Sequence, residues 1–301
     1  IQWWVPFWAL CYMGLLALYR WRSERPAPLL YLCHNVLPHE RARGPWVWLI
    51  RQVLRRGQGW LVHSAADETE LRELLHMDEL GGVMEAPRHV YRGYLPLFAL
   101  GEPEARAVAR VKLGLTDVDE VILFFGFVRP YKGLDLLLEA WPEVLRARPG
   151  AKLVIVGEFW EPVAQFKARA ESLGVLDSLR IVDRYVPEAT LGTYFGAADL
   201  LALPYRSATG SAVLPLAVHH GLPVVATAVG GLPEALASGA CGVLVPPEDP
   251  SALATAITQV LDRPQLLARL REGVAREREG LGWSGLVALI QAAAGGLGVG
   301  L

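Results

Sequence analysis

Short unbroken apolar runs alternate along the chain with longer segments of helical spacing. The sharpest instance is residues 121–140, VILFFGFVRPYKGLDLLLEA. Val121 to Phe125 are apolar and rich in β-branched and aromatic types, which predicts a buried strand of a parallel sheet. From Leu134 the spacing Leu134, Leu137, Leu138, Trp141, Leu145 predicts an amphipathic helix, and the loop between carries Gly126, Arg129, Lys132 and Gly133. Further strands are predicted at 29–33, 60–63, 152–157, 179–182, 200–203 and 223–226, with a weak one at 82–87 and an irregular segment at 88–100. Helices are predicted at 46–56, from Ser64 as N-cap, at 161–173, from about Ala212, from Pro233 and from 250 onward. Strands alternating with helices indicate an α/β fold with parallel sheets.

Composition narrows the class. The chain has 301 residues, enough for two α/β cores, and with 52% hydrophobic and 20% charged residues it is not a disordered sequence. A net charge of −2 argues against a general nucleic-acid binder, so local basic loops must attract any anionic ligand. Cys11, Cys33 and Cys241 are scattered and odd in number, which fits a reducing cytoplasm. No C-x-x-C, H-E-x-x-H or Walker loop occurs, so no metal or bound cofactor is expected. The chain opens on the apolar run IQWWVPFWALCYMGLLALY, followed by Arg20, Arg22 and Arg25. Three readings of it stay open: a bilayer span, a buried internal helix, and a lipid-facing patch built on Trp3, Trp4 and Trp8. Gln2, Pro6 and Gly14 interrupt the run, which leaves the internal helix as good a reading as the span. The sequence changes character near Gly101, where a fresh series of helices and strands begins, and the domain boundary is placed there.

A loop at the carboxyl end of a parallel strand lies beside the positive end of the following helix. Arg129 and Lys132 there either are solvated charges or, with free backbone N–H groups, form a diphosphate cradle. A second segment decides between them. Residues 204–234, PYRSATGSAVLPLAVHHGLPVVATAVGGLPE, run in the order strand end and proline, small-residue turn, helix, G-x-P-V-V-A strand, G-G-x-x-E. With the G…KG loop this chain resembles the retaining family 4 glycosyltransferases from about Leu29 to the C-terminus.

The resemblance implies a GT-B fold: two Rossmann-like domains whose parallel sheets face a cleft. Residues 1–100 would form a partial acceptor domain lacking its N-terminal part, residues 101–282 the donor-nucleotide domain, and residues 283–301 a helix packing back toward the first domain. It implies a metal-independent, retaining transfer of a sugar from a nucleotide-diphosphate donor to a hydroxyl of a glycan, lipid or small molecule. The protein would be cytoplasmic, with peripheral membrane contact through the N-terminal apolar run. Arg129 and Lys132 would neutralise the leaving diphosphate. His34, at the end of the 29–33 strand, would lie near sugar or acceptor, with His39 and Glu40 as second choices, although a strand-capping role explains His34 as well. Donor contacts would come from Gly126, Gly133, Gly157, Tyr185, Val186, Thr209, Gly210, Ser211, Gly230, Gly231 and Glu234. Phe159 and Trp160 read as packing residues, and His219 and His220 as residues of a helix end that tolerates cations.

The chain departs from the family pattern at two places. The usual pair of glutamates falls on Ala208 and Leu216, so ribose must be held otherwise or the donor differs. The arginine that often follows the first glycine is Phe127, and Arg129 is the residue that can replace it. A non-catalytic nucleotide-sugar-binding remnant and a GT-B epimerase are the competing readings.

Overall fold

The computed structural model describes residues 2–3, 9–23, 27–33, 36, 45–62, 64–77, 89–92, 103–208, 210–236, 239–280 and 283–298. The chain divides into two compact units, residues 97–281 and residues 1–96 with 282–301.

The larger unit holds six parallel strands, β5 (Glu120–Phe125), β6 (Ala151–Gly157), β7 (Leu179–Asp183), β8 (Leu200–Leu203), β9 (Val224–Thr227) and β10 (Gly242–Val245). Their order is β10-β9-β8-β5-β6-β7, which is the Rossmann order 3-2-1-4-5-6 read from the other side. The near-continuous apolar runs are needed because both faces are covered. Alternate residues go to opposite layers. Val121, Leu123, Val154, Val156, Leu201 and Leu203 enter one core, while Ile122, Phe124, Leu153, Ile155, Leu200 and Ala202 enter the other. Helices α4 (Arg106–Lys112), α7 (Leu191–Ala197), α8 (Val213–His219) and α9 (Leu232–Ala235) close the first layer. Helices α5 (Leu134–Ala147), α6 (Val163–Ser172) and α10 (Pro250–Asp262) close the second. Helix α11 (Pro264–Gly280) contributes Val274 to one core and Leu270 to the other. Each fully buried side chain of this kind contributes about 1.5–3 kcal/mol.

At the amino ends of the strands one carboxylate joins three elements. Asp199, directly before β8, accepts from Arg110 at 2.8 Å and from Val121 N at 2.9 Å, and it also pairs with Arg106. Arg110 is fully buried, and its guanidinium also donates to the carbonyls of Ala197, Thr116 and Asp117.

The smaller unit contains a parallel four-stranded sheet in the order β1-β2-β3-β4: β1 (Gln2–Trp3), β2 (Leu30–Cys33), β3 (Gly59–Val62) and β4 (His89–Arg92). β1 and β4 differ from the sequence reading, which placed no strand at residues 2–3 and called 88–100 irregular. Both are short, and their pairing partners, Leu32 and Cys33 for β1 and the whole of β3 for β4, lie far off in sequence. The weak strand expected at 82–87 lies outside the described residues. Helices α1 (Ala9–Arg22), α2 (Pro45–Leu54), α3 (Ala65–Leu75) and α12 (Trp283–Gly296) complete the unit. Ser64 caps α3 by accepting from Asp67 N. Tyr91 of β4 donates to Ala293 O of α12. Among the described residues no helix is long and apolar enough to cross a membrane, and the expected buried character of α1 holds only in part: Leu16 is buried, whereas Leu15, Leu18 and Trp21 are exposed.

Candidate functional site

The sheet of the larger unit reverses direction of winding between β5 and β8, which pair directly through Ile122–Leu200 and Leu123–Leu201. The loops leaving these two strands therefore diverge at their carboxyl ends, which is where open α/β sheets bind ligands. The β5 loop is residues 126–133 and the β8 loop residues 204–212, the two segments singled out in the sequence.

Residues Pro130–Lys132 form one 3₁₀ turn that ends on Gly133. Gly133 has φ +67°, and a side chain there would collide with the Pro204 carbonyl, so the two loops touch backbone to backbone. Gly126 and Gly157 face one another in the same way. Gly126 N donates to Val156 O at 2.9 Å, and a Cβ on Gly157 would meet the Gly126 carbonyl. Gly157 was expected to admit a ligand backbone; what approaches it is Gly126.

Lys132 is only 6% exposed. Its Nζ lies 2.6 Å from where a Cβ on Gly126 would stand and 5.6 Å from the Tyr205 ring centroid. Burial, with the nearby Arg129 charge, pushes its pKa down from 10.5 to about 8. Arg129 lies 3.5 Å over the Trp160 ring, and its buried Nε has no hydrogen-bond partner. Among the described residues neither cation has an ion-pair partner. Two cations without an ion-pair partner among the described residues, beside a switch point, have the charge and burial that an anion site would require.

Trp160 was read as a packing residue, but it is 60% exposed and serves as the shelf for Arg129, with Phe127 edge-on at 6.3 Å. Phe159 does pack, edge-on to Phe166 at 5.5 Å. Tyr185 is 61% exposed, whereas Val186 is a core residue, so any contact by Val186 is limited to its main chain. Gly210 is exposed with open space around it. Ser211 Oγ accepts from Val213 N at 3.2 Å and lies 3.3 Å from Tyr205 OH, in the turn that leads into α8. Gly230 has φ +52°, Gly231 is buried as the N-cap of α9, and Glu234 is exposed on α9. Ala208 and Leu216 pack against the core, which leaves no carboxylate at either glutamate position. His34, His39, Glu40 and Thr209 lie outside the described residues, as do Trp4 and Trp8.

His219 and His220 end α8 as expected, but the surroundings of His220 disfavour a cation. The His220 ring stacks on Phe195 at 5.0 Å, and burial, the His219 ring and Arg278 push its pKa down from 6.5 to about 4. It lines a cavity of about 480 Å³ with Arg106, Asp199 and Arg271, at the amino ends of β8 and β9 and so away from the basic loop. Among the described residues no group of three or more His, Cys, Asp or Glu could hold a metal ion.

The residue the sequence reading missed is Arg206. Its guanidinium grips Asp135 with both Nη atoms at 2.7 Å, donates to Pro130 O at 3.0 Å and meets Glu248 at 2.9 Å, while its backbone N donates to Tyr131 O at 2.7 Å. Burial alone would raise the Asp135 carboxyl, but Arg206 holds it below the usual carboxylate range. An arginine three residues past β8 and an aspartate in the first turn of α5 were the only signals in the sequence.

Two all-parallel sheets, the second in Rossmann order, define a GT-B α/β fold. The fold is shared with solved glycosyltransferases. HepE of Anabaena, determined in complex with UDP, superposes with a TM-score of 0.75 over 95% of this chain and 75% of its own, at 21% identity. Residues 119–263, within the larger unit, match the family model described as glycosyl transferases group 1. Among its relatives, the D-inositol 3-phosphate glycosyltransferase of Segniliparus rotundus is 40% identical over 58% of this chain, and one from Catenulispora acidiphila is 35% identical over 87%. The chain spans 39% and 65% of those two proteins.

Proposed function

We propose that the chain serves a retaining, metal-independent transfer of a sugar from a nucleoside-diphosphate donor to an acceptor hydroxyl. The observation that carries this is Lys132, buried and without an anionic partner among the described residues, beside Arg129 at the switch point of a Rossmann-ordered sheet. In the reaction the bond from the anomeric carbon to the β-phosphate oxygen breaks, and the acceptor oxygen bonds to that carbon on the same face. The acceptor proton leaves with the diphosphate. Negative charge grows on the diphosphate as the bond stretches. Lys132 and Arg129 would stabilise it there, before any water can reorganise. Exposed Tyr185 and the main chain at Val186 would meet the base, with the Gly210–Ser211 turn and the Gly230–Gly231 turn near the phosphates and Glu234 near the sugar.

The names of the relatives support an inositol phosphate as acceptor, within the wider class of glycan, lipid and small-molecule hydroxyls. His34 remains our candidate on that side. The exposed Leu15, Leu18 and Trp21 of α1, with Arg20 and Arg22 on the same helix, support peripheral contact with a membrane. The three free cysteines support a reducing cytoplasm.

A binding remnant without catalysis is the second reading, favoured by Ala208 and Leu216 in the places of the glutamates. Calorimetry of UDP, GDP and ADP with the chain and with Lys132→Ala, in EDTA, tests the cradle. One nucleotide should bind and the variant should lose it. Turnover with the matching sugar nucleotide and an inositol phosphate then separates enzyme from remnant, and no binding of any nucleotide sinks both.

A further inference from the structure

Arg206 leaves the β8 loop and reaches the β5 loop at two points, Tyr131 O through its backbone N and Pro130 O through Nη1, and the start of α5 at a third, Asp135 through both Nη atoms. The two carbonyls belong to the turn that carries Lys132. Asp135 lies in the first turn of α5, three residues past Lys132. Glu248, which has φ +57°, closes the far side of the guanidinium.

Two physical consequences follow. The turn presenting Lys132 is held by a planar fork that only arginine supplies, because a lysine cannot bond two carboxylate oxygens in parallel. The carboxylate nearest in sequence to Lys132 is also neutralised. Three residues from Lys132, an unengaged Asp135 would be the carboxylate nearest in sequence to compete for the two cations, and an anion site occupied by its own protein's carboxylate binds no phosphate. Lys132 is buried with no ion-pair partner among the described residues, which is costly, and the engagement of Asp135 by Arg206 removes one carboxylate that would offset that cost.

We infer that Arg206 is a positioning residue of the donor site. It fixes the Pro130–Lys132 turn and sequesters Asp135, and so keeps Arg129 and Lys132 free for the diphosphate. This rests on the nucleotide-diphosphate reading above.

Affinity for inorganic pyrophosphate and for UDP, with the thermal midpoint, is measured for the full chain, Arg206→Ala, Arg206→Lys, Asp135→Asn and Lys132→Ala. Arg206→Ala is expected to weaken pyrophosphate at least tenfold, and Arg206→Lys to recover little of it. Adding Asp135→Asn to Arg206→Ala should restore part of the loss, because the freed carboxylate is gone; a merely structural role for Arg206 predicts no such rescue. If Arg206→Ala does not fold, Asp135→Asn alone decides. It cuts the same latch, so it should weaken pyrophosphate, whereas unchanged or tighter binding means Arg206 meets the anion directly and overturns the inference. Wild-type affinity in Arg206→Ala with binding lost in Lys132→Ala leaves the cradle standing and removes the latch. Failure of the unaltered chain to bind pyrophosphate or UDP removes the nucleotide reading, and this inference with it.

Discussion

Lys132 concentrates the physics of this protein in one side chain. Its ammonium is buried beside a second cation, and the difference between 10.5 and about 8 corresponds to a cost on the order of 3 kcal/mol when the group is charged. The sign follows from the direction. Between pH 8 and 10.5 the unfolded chain holds a proton that the folded chain has released, so stability rises with pH across that window, while below pH 8 the full cost is present. Lys132→Met should therefore melt higher than the unaltered chain at pH 7, lose that advantage as pH approaches 10, and bind no nucleotide. Calorimetric melts at several pH values check this. His220 has the same sign in an acidic window. Its neutral ring is favoured in the folded state, so stability should fall as pH drops from 6.5 toward 4, and His220→Phe should flatten that limb of the profile. Arg129, Lys132 and the glycines were legible in the sequence because their spacing lies within one strand–loop–helix unit. Arg206 was not, because what it does depends on Asp135, 71 residues away.

At the scale of elements, the candidate site lies where two strand–loop–helix units meet across the switch point. Gly133 is their contact point. Gly133→Ala combines a left-handed backbone with a collision against Pro204 O, and should destabilise the chain by at least about 1 kcal/mol and weaken nucleotide binding. Urea titration and calorimetry on the same variant report both. At the opposite ends of the strands Asp199 ties α4, β5 and β8 together. Asp199→Ala would leave the fully buried Arg110 guanidinium without its carboxylate, a loss of about 3–5 kcal/mol. Replacing both residues, Arg110→Met with Asp199→Ala, should return much of it, which a denaturation double-mutant cycle measures. The long apolar strands of this unit were legible because burial on both faces leaves a run with no polar break. Strands β1 and β4 were not. Two and four residues long, they owe their strand character to neighbours rather than to pattern. Trp160 was misjudged for a related reason: an aromatic beside a proline reads as packing until the arginine above it is seen.

At the scale of the whole molecule, the larger unit has its own two-sided core and all of the candidate diphosphate site. A chain cut to residues 97–281 should unfold cooperatively and keep its affinity for pyrophosphate, read by calorimetry, while having no transferase activity. The apolar runs, the helical spacings and the glycine and lysine loops determined the α/β class, the positions of the long strands and the identity of the two cations, because each is set by local periodicity and by residues a few positions apart. Only the tertiary structure decided that the cations have no ion-pair partner among the described residues, that Val186 and the two residues replacing the glutamates turn inward, that Asp135 is held by Arg206, and that burial disfavours the charged form of His220. Those properties depend on what burial and the winding of the sheet bring beside each group, and no local spacing encodes a neighbour that arrives from a different strand–loop–helix unit.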